Sequence, residues 1–159
     1  PESAGKNMFY GFIGNYTQTL DQKNRVVIPA KFRALFEAGT HPAAFYITRG
    51  PDKCLLMFTP QQWERWEEKH EAATESKEMQ ASVRQIDRIL FGNAHFYICD
   101  KLGRITIPSP LVEYAGLEKD VVVVGVRNRM EIWAAERWNE HQARVTENFE
   151  NLIEDVYSS

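Results

Sequence analysis

The segment DQKNRVVIP at residues 21–29 is written a second time as DKLGRITIP at residues 100–108. No other feature restricts the fold as tightly, because a repeated sentence must be folded the same way twice, and two copies are too few to stack into a solenoid. The likeness extends past the motif. Gly14-Asn15 answers Gly92-Asn93, Ala38-Gly39 answers Ala115-Gly116, and Trp63 answers Trp138. The offset falls from 79 at the motif to 75 at the tryptophans, a drift that small loop deletions account for. A whole unit has therefore been duplicated, with residues 8–91 forming the first copy and its helical extension and residues 92–159 the second copy with a closing helix. Residues 1–7, PESAGKN, read as a remnant of expression, since Pro1 is not a natural translation start.

Within a copy the motif reads as turn then strand. Val26 and Ile28 bracket Val27, and Ile105 and Ile107 bracket Thr106, the period of a half-buried strand. A strand precedes each motif, at residues 16–20 and 95–99, so each motif is expected at the tip of a hairpin. Asp21 and Asp100 open the two turns with a carboxylate that accepts backbone N–H groups two residues on. Gly103 supplies a left-handed residue, and Asn24 fills its place in the first copy as one of the few residues that tolerates positive φ.

Pro29 and Pro108 end the second strands, because proline donates nothing to a ladder. Short helices follow, the first with Phe32, Leu35 and Phe36 before Gly39, the second capped by Ser109 with Pro110 inside and Gly116 as terminator. Two strands come next in each half, residues 44–48 with 54–58 and residues 121–126 with 130–133, joined by tight turns at 50–52 and 127–129. Thr59 and Gln62 form a capping box for a helix with Trp63, Trp66 and His70. Met79, Val83, Ile86 and Leu90 repeat at helical spacing. One closing helix is expected through Trp138, Val145, Phe149, Leu152 and Val156. The expected class is α+β, mainly β with appended helices: two interlocked units forming one pseudo-symmetric body.

Chemistry is sparse. A hydrophobic content of 43% suffices for a core, and no apolar run reaches the roughly 18 residues of a membrane-spanning helix. Neither a secretory leader nor a disulfide framework is indicated, with Cys54 and Cys99 in apolar strands as reduced core groups. Cys99 beside Asp100 and near His95 is the closest approach to a nucleophilic site, but neighbours along a strand point to opposite faces. His41, His70, His95 and His141 lack metal-ligand spacing. No glycine-rich phosphate loop occurs. An enzyme, a cofactor and a small-molecule substrate are all unsupported.

The formal net charge is −3, yet residues 21–33 carry Lys23, Arg25, Lys31 and Arg33 against Asp21 alone, while acid concentrates after residue 134. Arg25 and Arg104, helped by Lys23 and Lys101, are expected to project from the two tips. The plainer alternative is that each arginine pairs with its own motif aspartate. The functional alternative is that two-stranded ribbons enter a DNA major groove, where arginine meets guanine O6 and N7 and lysine holds phosphate. A competing role is an oligomeric protein-interaction scaffold anchored by Trp63, Trp66 and Trp138, for which packing on the chain's own sheet is the simpler account.

At these residues the chain resembles the MraZ family: MFYGF from Met8, the motifs DQKNR and DKLGR, VVIPAKFR, ITIPSPLVEYAGL, and WAAERWNEH from Trp133. The likeness covers nearly the whole chain from Met8, and departs from the family pattern at Asn24, where glycine is usual. It implies two tandem swapped-hairpin halves of the AbrB type in an intrachain pseudo-dimer. It also implies a transcriptional regulator in the cytoplasm, associated with the nucleoid, that binds direct repeats in the promoter of the division and cell-wall gene cluster as a ring-shaped homo-oligomer. Lys23, Arg25, Lys101 and Arg104 are then the DNA-binding residues on double-stranded promoter DNA, and Asp21, Asn24, Asp100 and Gly103 the turn formers.

Overall fold

The computed structural model describes residues 11–37, 43–75, 78 and 80–158. Residues 1–7, Met8, and Gly39 and Met79, for which a helix end and a helical position are expected, lie outside the described residues. In chain order the elements are β1 (Phe12–Thr19), β2 (Arg25–Val27), α1 (Ala30–Glu37), β3 (Ala44–Arg49), β4 (Leu55–Phe58), α2 (Pro60–Ala73) and α3 (Gln80–Ile86). The second half gives β5 (His95–Ile98), β6 (Arg104–Thr106), α4 (Ser109–Ala115), β7 (Asp120–Arg127), β8 (Met130–Ala134), α5 (Ala135–Thr146) and α6 (Phe149–Tyr157). This is an α+β architecture.

The strands form one antiparallel sheet in the order β1-β7-β8-β4-β3-β5 and a separate two-stranded ribbon, β2 with β6. Strand exchange makes the halves one body. β1 of the first half runs beside β7 of the second, β5 of the second runs beside β3 of the first, and β4 and β8 meet across the middle. The expected hairpin around each motif is corrected here. The strand before each turn stays in the large sheet, and the strand after it leaves to pair with its counterpart from the other copy. Each β2-like strand is three residues long, too short to hold a tip alone, and two such strands from one polypeptide close a ribbon without a second chain.

Both faces of the sheet are covered, which explains the unbroken valine run of β7: Val121 and Val123 face one cluster, Val122 and Val124 the other. The first cluster holds Phe12, Val26, Phe32, Phe45, Ile105, Ile107 and Leu111, so the ribbon and the helices α1 and α4 sit on this side. The second holds Cys54, Leu56, Phe58, Trp63 and Trp133 under α2 and α5. Both cysteines are buried thiols outside any disulfide, and burial pushes the Cys54 thiol up to about 12.

Two helical expectations change. The closing helix breaks between Thr146 and Phe149 into α5 and α6, and Ser109 is the first residue of α4 rather than its cap, a place taken by Pro108. Thr59 does cap α2, its Oγ1 accepting from Gln62 N at 2.9 Å. Helix α3 continues into a π-helical turn, Asp87–Phe91, whose last residue packs on Trp63 and Trp66 at centroid separations of 5.5 and 5.4 Å.

Candidate nucleic-acid interface

In the first tip, Asp21 Oδ1 accepts from the backbone N–H groups of Lys23 and Arg25, each at 2.9 Å. The main chain closes the same loop through Asn24 N to Asp21 O and Asp21 N to Arg25 O, both 3.0 Å. The second tip repeats the arrangement. Asp100 Oδ1 accepts from Leu102 N and Arg104 N at 2.9 Å, and Gly103 N donates to Asp100 O at 3.0 Å. The fourth residue of each turn is left-handed, φ 60° at Asn24 and 77° at Gly103. An asparagine can stand where the other copy has glycine because its short polar side chain lowers the cost of that region.

Each arginine reaches back to its own aspartate: Arg25 Nε donates to Asp21 Oδ2 at 2.7 Å and Arg104 Nε to Asp100 Oδ2 at 2.8 Å. The plain alternative of an internal pair is therefore realised, but it engages only one edge of each guanidinium. Among the described residues the Nη groups have no hydrogen-bond partner, and the arginine side chains keep 31% and 26% of their surface in solvent. Both carboxyls are held below the usual range, first by the backbone N–H of Arg25 or Arg104 and further by its side chain. The clamp thus fixes the direction of each fork while leaving its outer edge open.

The two tips are stitched together. Ile28 N donates to Gly103 O at 2.9 Å and Ile107 N to Asn24 O at 2.8 Å, so each turn is held by the strand emerging from the other. In the ribbon Arg25 lies opposite Thr106 and Arg104 opposite Val27. Residues opposite one another share a face. Val26 and Ile105 point into the core at 1% and 2% exposure, so Arg25, Val27, Arg104 and Thr106 form the outer face. The two arginine Cα atoms are diagonal neighbours, roughly 7–8 Å apart in such a ladder.

The lysines are not equivalent. Counting from the aspartates, Lys23 is third in its turn, where the second copy has Leu102, and Lys101 is second, where the first has Gln22. Both lysines are exposed, and Leu102 stands 65% open to solvent. Sequence reasoning did not place Arg33 or the Val27 and Thr106 face at this site. Strand alternation marks the latter pair once β2 and β6 are known to pair, but no local pattern announces that pairing.

A duplicated α+β body with strands exchanged between its halves, carrying a cationic ribbon on its outer face, is the class that this geometry defines. The family described as "MraZ protein, putative antitoxin-like" matches residues 12–85 and again residues 90–156. A protein of Limosilactobacillus reuteri named Transcriptional regulator MraZ is 42% identical over 144 residues, spanning 91% of this chain and 96% of that protein. Proteins with the same name from Natranaerobius thermophilus and Micrococcus luteus are 39% and 38% identical over 145 residues, with the same two shares covered. The chain belongs to the MraZ family.

Proposed function

We propose that this chain is a sequence-specific DNA-binding transcriptional regulator. The observation that carries the reading is the ribbon face, where two arginines lie side by side with their outer edges open and their inner edges fixed. A fork held in advance loses less entropy on meeting a guanine than a free side chain does. Arg25 and Arg104 would meet base edges, and Lys23 and Lys101, free on the turns, would meet phosphates. The relatives named as transcriptional regulators support the same role. Within this reading the target is the direct repeats upstream of the division and cell-wall gene cluster, and the working form in the cytoplasm is a ring of copies on the nucleoid. A ring would offset the weak charge of one ribbon by raising the effective concentration of the next.

Binding to the DNA upstream of the protein's own operon, measured across salt concentrations, tests the reading. Arg25→Ala and Arg104→Ala should each cost about 1–3 kcal/mol. Unchanged affinity in both variants and in the double variant overturns the assignment.

One observation favours a second reading, an assembly scaffold that reads no bases. Helix α6 leaves Phe149, Leu152, Ile153 and Val156 between 41% and 66% exposed, a stripe at helical spacing with nothing on it among the described residues. Salt-steep binding without sequence preference, unaltered by the arginine variants, would support that role.

A further inference from the structure

Arg33 stands in the first turn of α1, outside the repeated motif, and its side chain crosses to the other copy. Its Nε donates to Ile28 O at 2.9 Å, and the N–H of the same residue, Ile28, donates to Gly103 O at 2.9 Å. The guanidinium lies against Gly103 itself: a methyl group placed there would fall 2.5 Å from Arg33 Cζ and Nε and 2.7 Å from Nη1. Glycine suits this tip twice, for its positive φ and for the space that Arg33 fills.

The matching position across the pseudo-twofold axis is Val112. Arg33 N donates to Pro29 O and Val112 N to Pro108 O, both at 3.0 Å, so the two residues occupy one place in their helices. Valine carries no charge and is short. On that side the tip can hold a side chain, Asn24, whose Nδ2 reaches Ser109 Oγ at 3.5 Å. The copies therefore differ at two matched places: the second tip has glycine with a cation lying against it, while the first tip has asparagine and the equivalent helix position is valine.

Arg33 is half-buried, and among the described residues no carboxylate pairs with it. A guanidinium that is held at its Nε edge, with no carboxylate on it among the described residues, is suited to an external anion. Resting on the reading of the ribbon as a DNA interface, we propose that Arg33 is a third cationic contact of that interface, which braces the second tip and meets a backbone phosphate flanking the bases that Arg104 faces.

The test is the salt dependence of DNA binding in Arg33→Met, which keeps an unbranched stem over Gly103 without charge. One lost phosphate contact should lower the slope of log affinity against log salt by about one and weaken binding about tenfold near 0.1 M salt, equally for matched and mismatched duplexes. Arg33→Lys should recover the slope. Arg33→Gln, which keeps a planar amide over the glycine, should lose it as Met does, and serves if the Met variant does not fold. Full slope and affinity in the neutral variants overturn the proposal, as does a loss confined to matched duplexes. Absence of binding by the unaltered protein would instead defeat the underlying DNA reading, and a protein that binds, fails on Arg104→Ala and ignores Arg33→Gln defeats the Arg33 proposal alone.

Discussion

The two halves share their strands and part company in the helices that follow. In the first half the chain turns back after α2. Leu90 O accepts from Thr48 Oγ1 at 2.5 Å, His70 Nε2 donates to Asp87 Oδ1 at 2.5 Å, and Phe91 closes over Trp63 and Trp66. In the second half α5 lies on the sheet through Trp133 and Trp138, whose rings are 5.5 Å apart, but α6 leads away and buries none of its residues. Duplication has thus produced one copy that completes its own aromatic core and one that spends its last helix outward. A repeated unit is free to diverge where the other copy already supplies stability.

Substituting the two equivalent tryptophans exposes that division most strongly. Trp63 is 7% exposed and touches Tyr46, Phe58, Trp66 and Phe91, so Trp63→Ala should cost about 3–5 kcal/mol. Trp138 is half-buried, and Trp138→Ala should cost roughly 1–2 kcal/mol. Denaturant midpoints of the two variants measure the gap; equal losses would mean that the second half depends on its helix as the first does.

A smaller effect on stability, with a large effect on mass, is expected in α6. Leu152→Glu with Val156→Glu places charge on a stripe that contributes no buried residue to its own chain. The melting temperature of the dissociated chain should be nearly unmoved, while light scattering shows a lower mass than for the unaltered protein. A loss of fold in place of a loss of mass would show that α6 packs on its own body.

Much of this was legible from the residues. The duplication, the α+β class and most strand limits follow from the repeat and from period two, because exposed and core faces alternate within a few residues. The exchange of β2 and β6 does not follow from periodicity. A hairpin and a swapped ribbon bury Val26 and Ile105 equally well, and only the resemblance to the family separated them. The break at Glu147 and Asn148 was missed because the apolar spacing continues through it without proline or glycine. At the tips, Asp21 and Asp100 were legible as local turn chemistry. Arg33 was not, since its partner Gly103 is 70 positions away.

Where the halves should still agree is in the acid titration of the tips. Asp21 and Asp100 are moved by the same causes in the same order: the backbone N–H four residues on lowers them most, desolvation opposes it as the next largest cause, and the arginine side chain and the N–H two residues on lower them further. A carboxyl whose folded value lies below its unfolded value of about 3.9 adds stability above that value and loses it as pH falls through the lower one. Both turns should therefore stay ordered through pH 5 and loosen only in stronger acid, together, with the amide signals of Arg25 and Arg104 moving in step. Side-chain carboxyl shifts followed by NMR separate the two sites. If Asp100 protonated well before Asp21, the equivalence of the tips would be broken at its simplest level, and the charge of Arg33 could not account for it, because a nearby cation would hold Asp100 lower still.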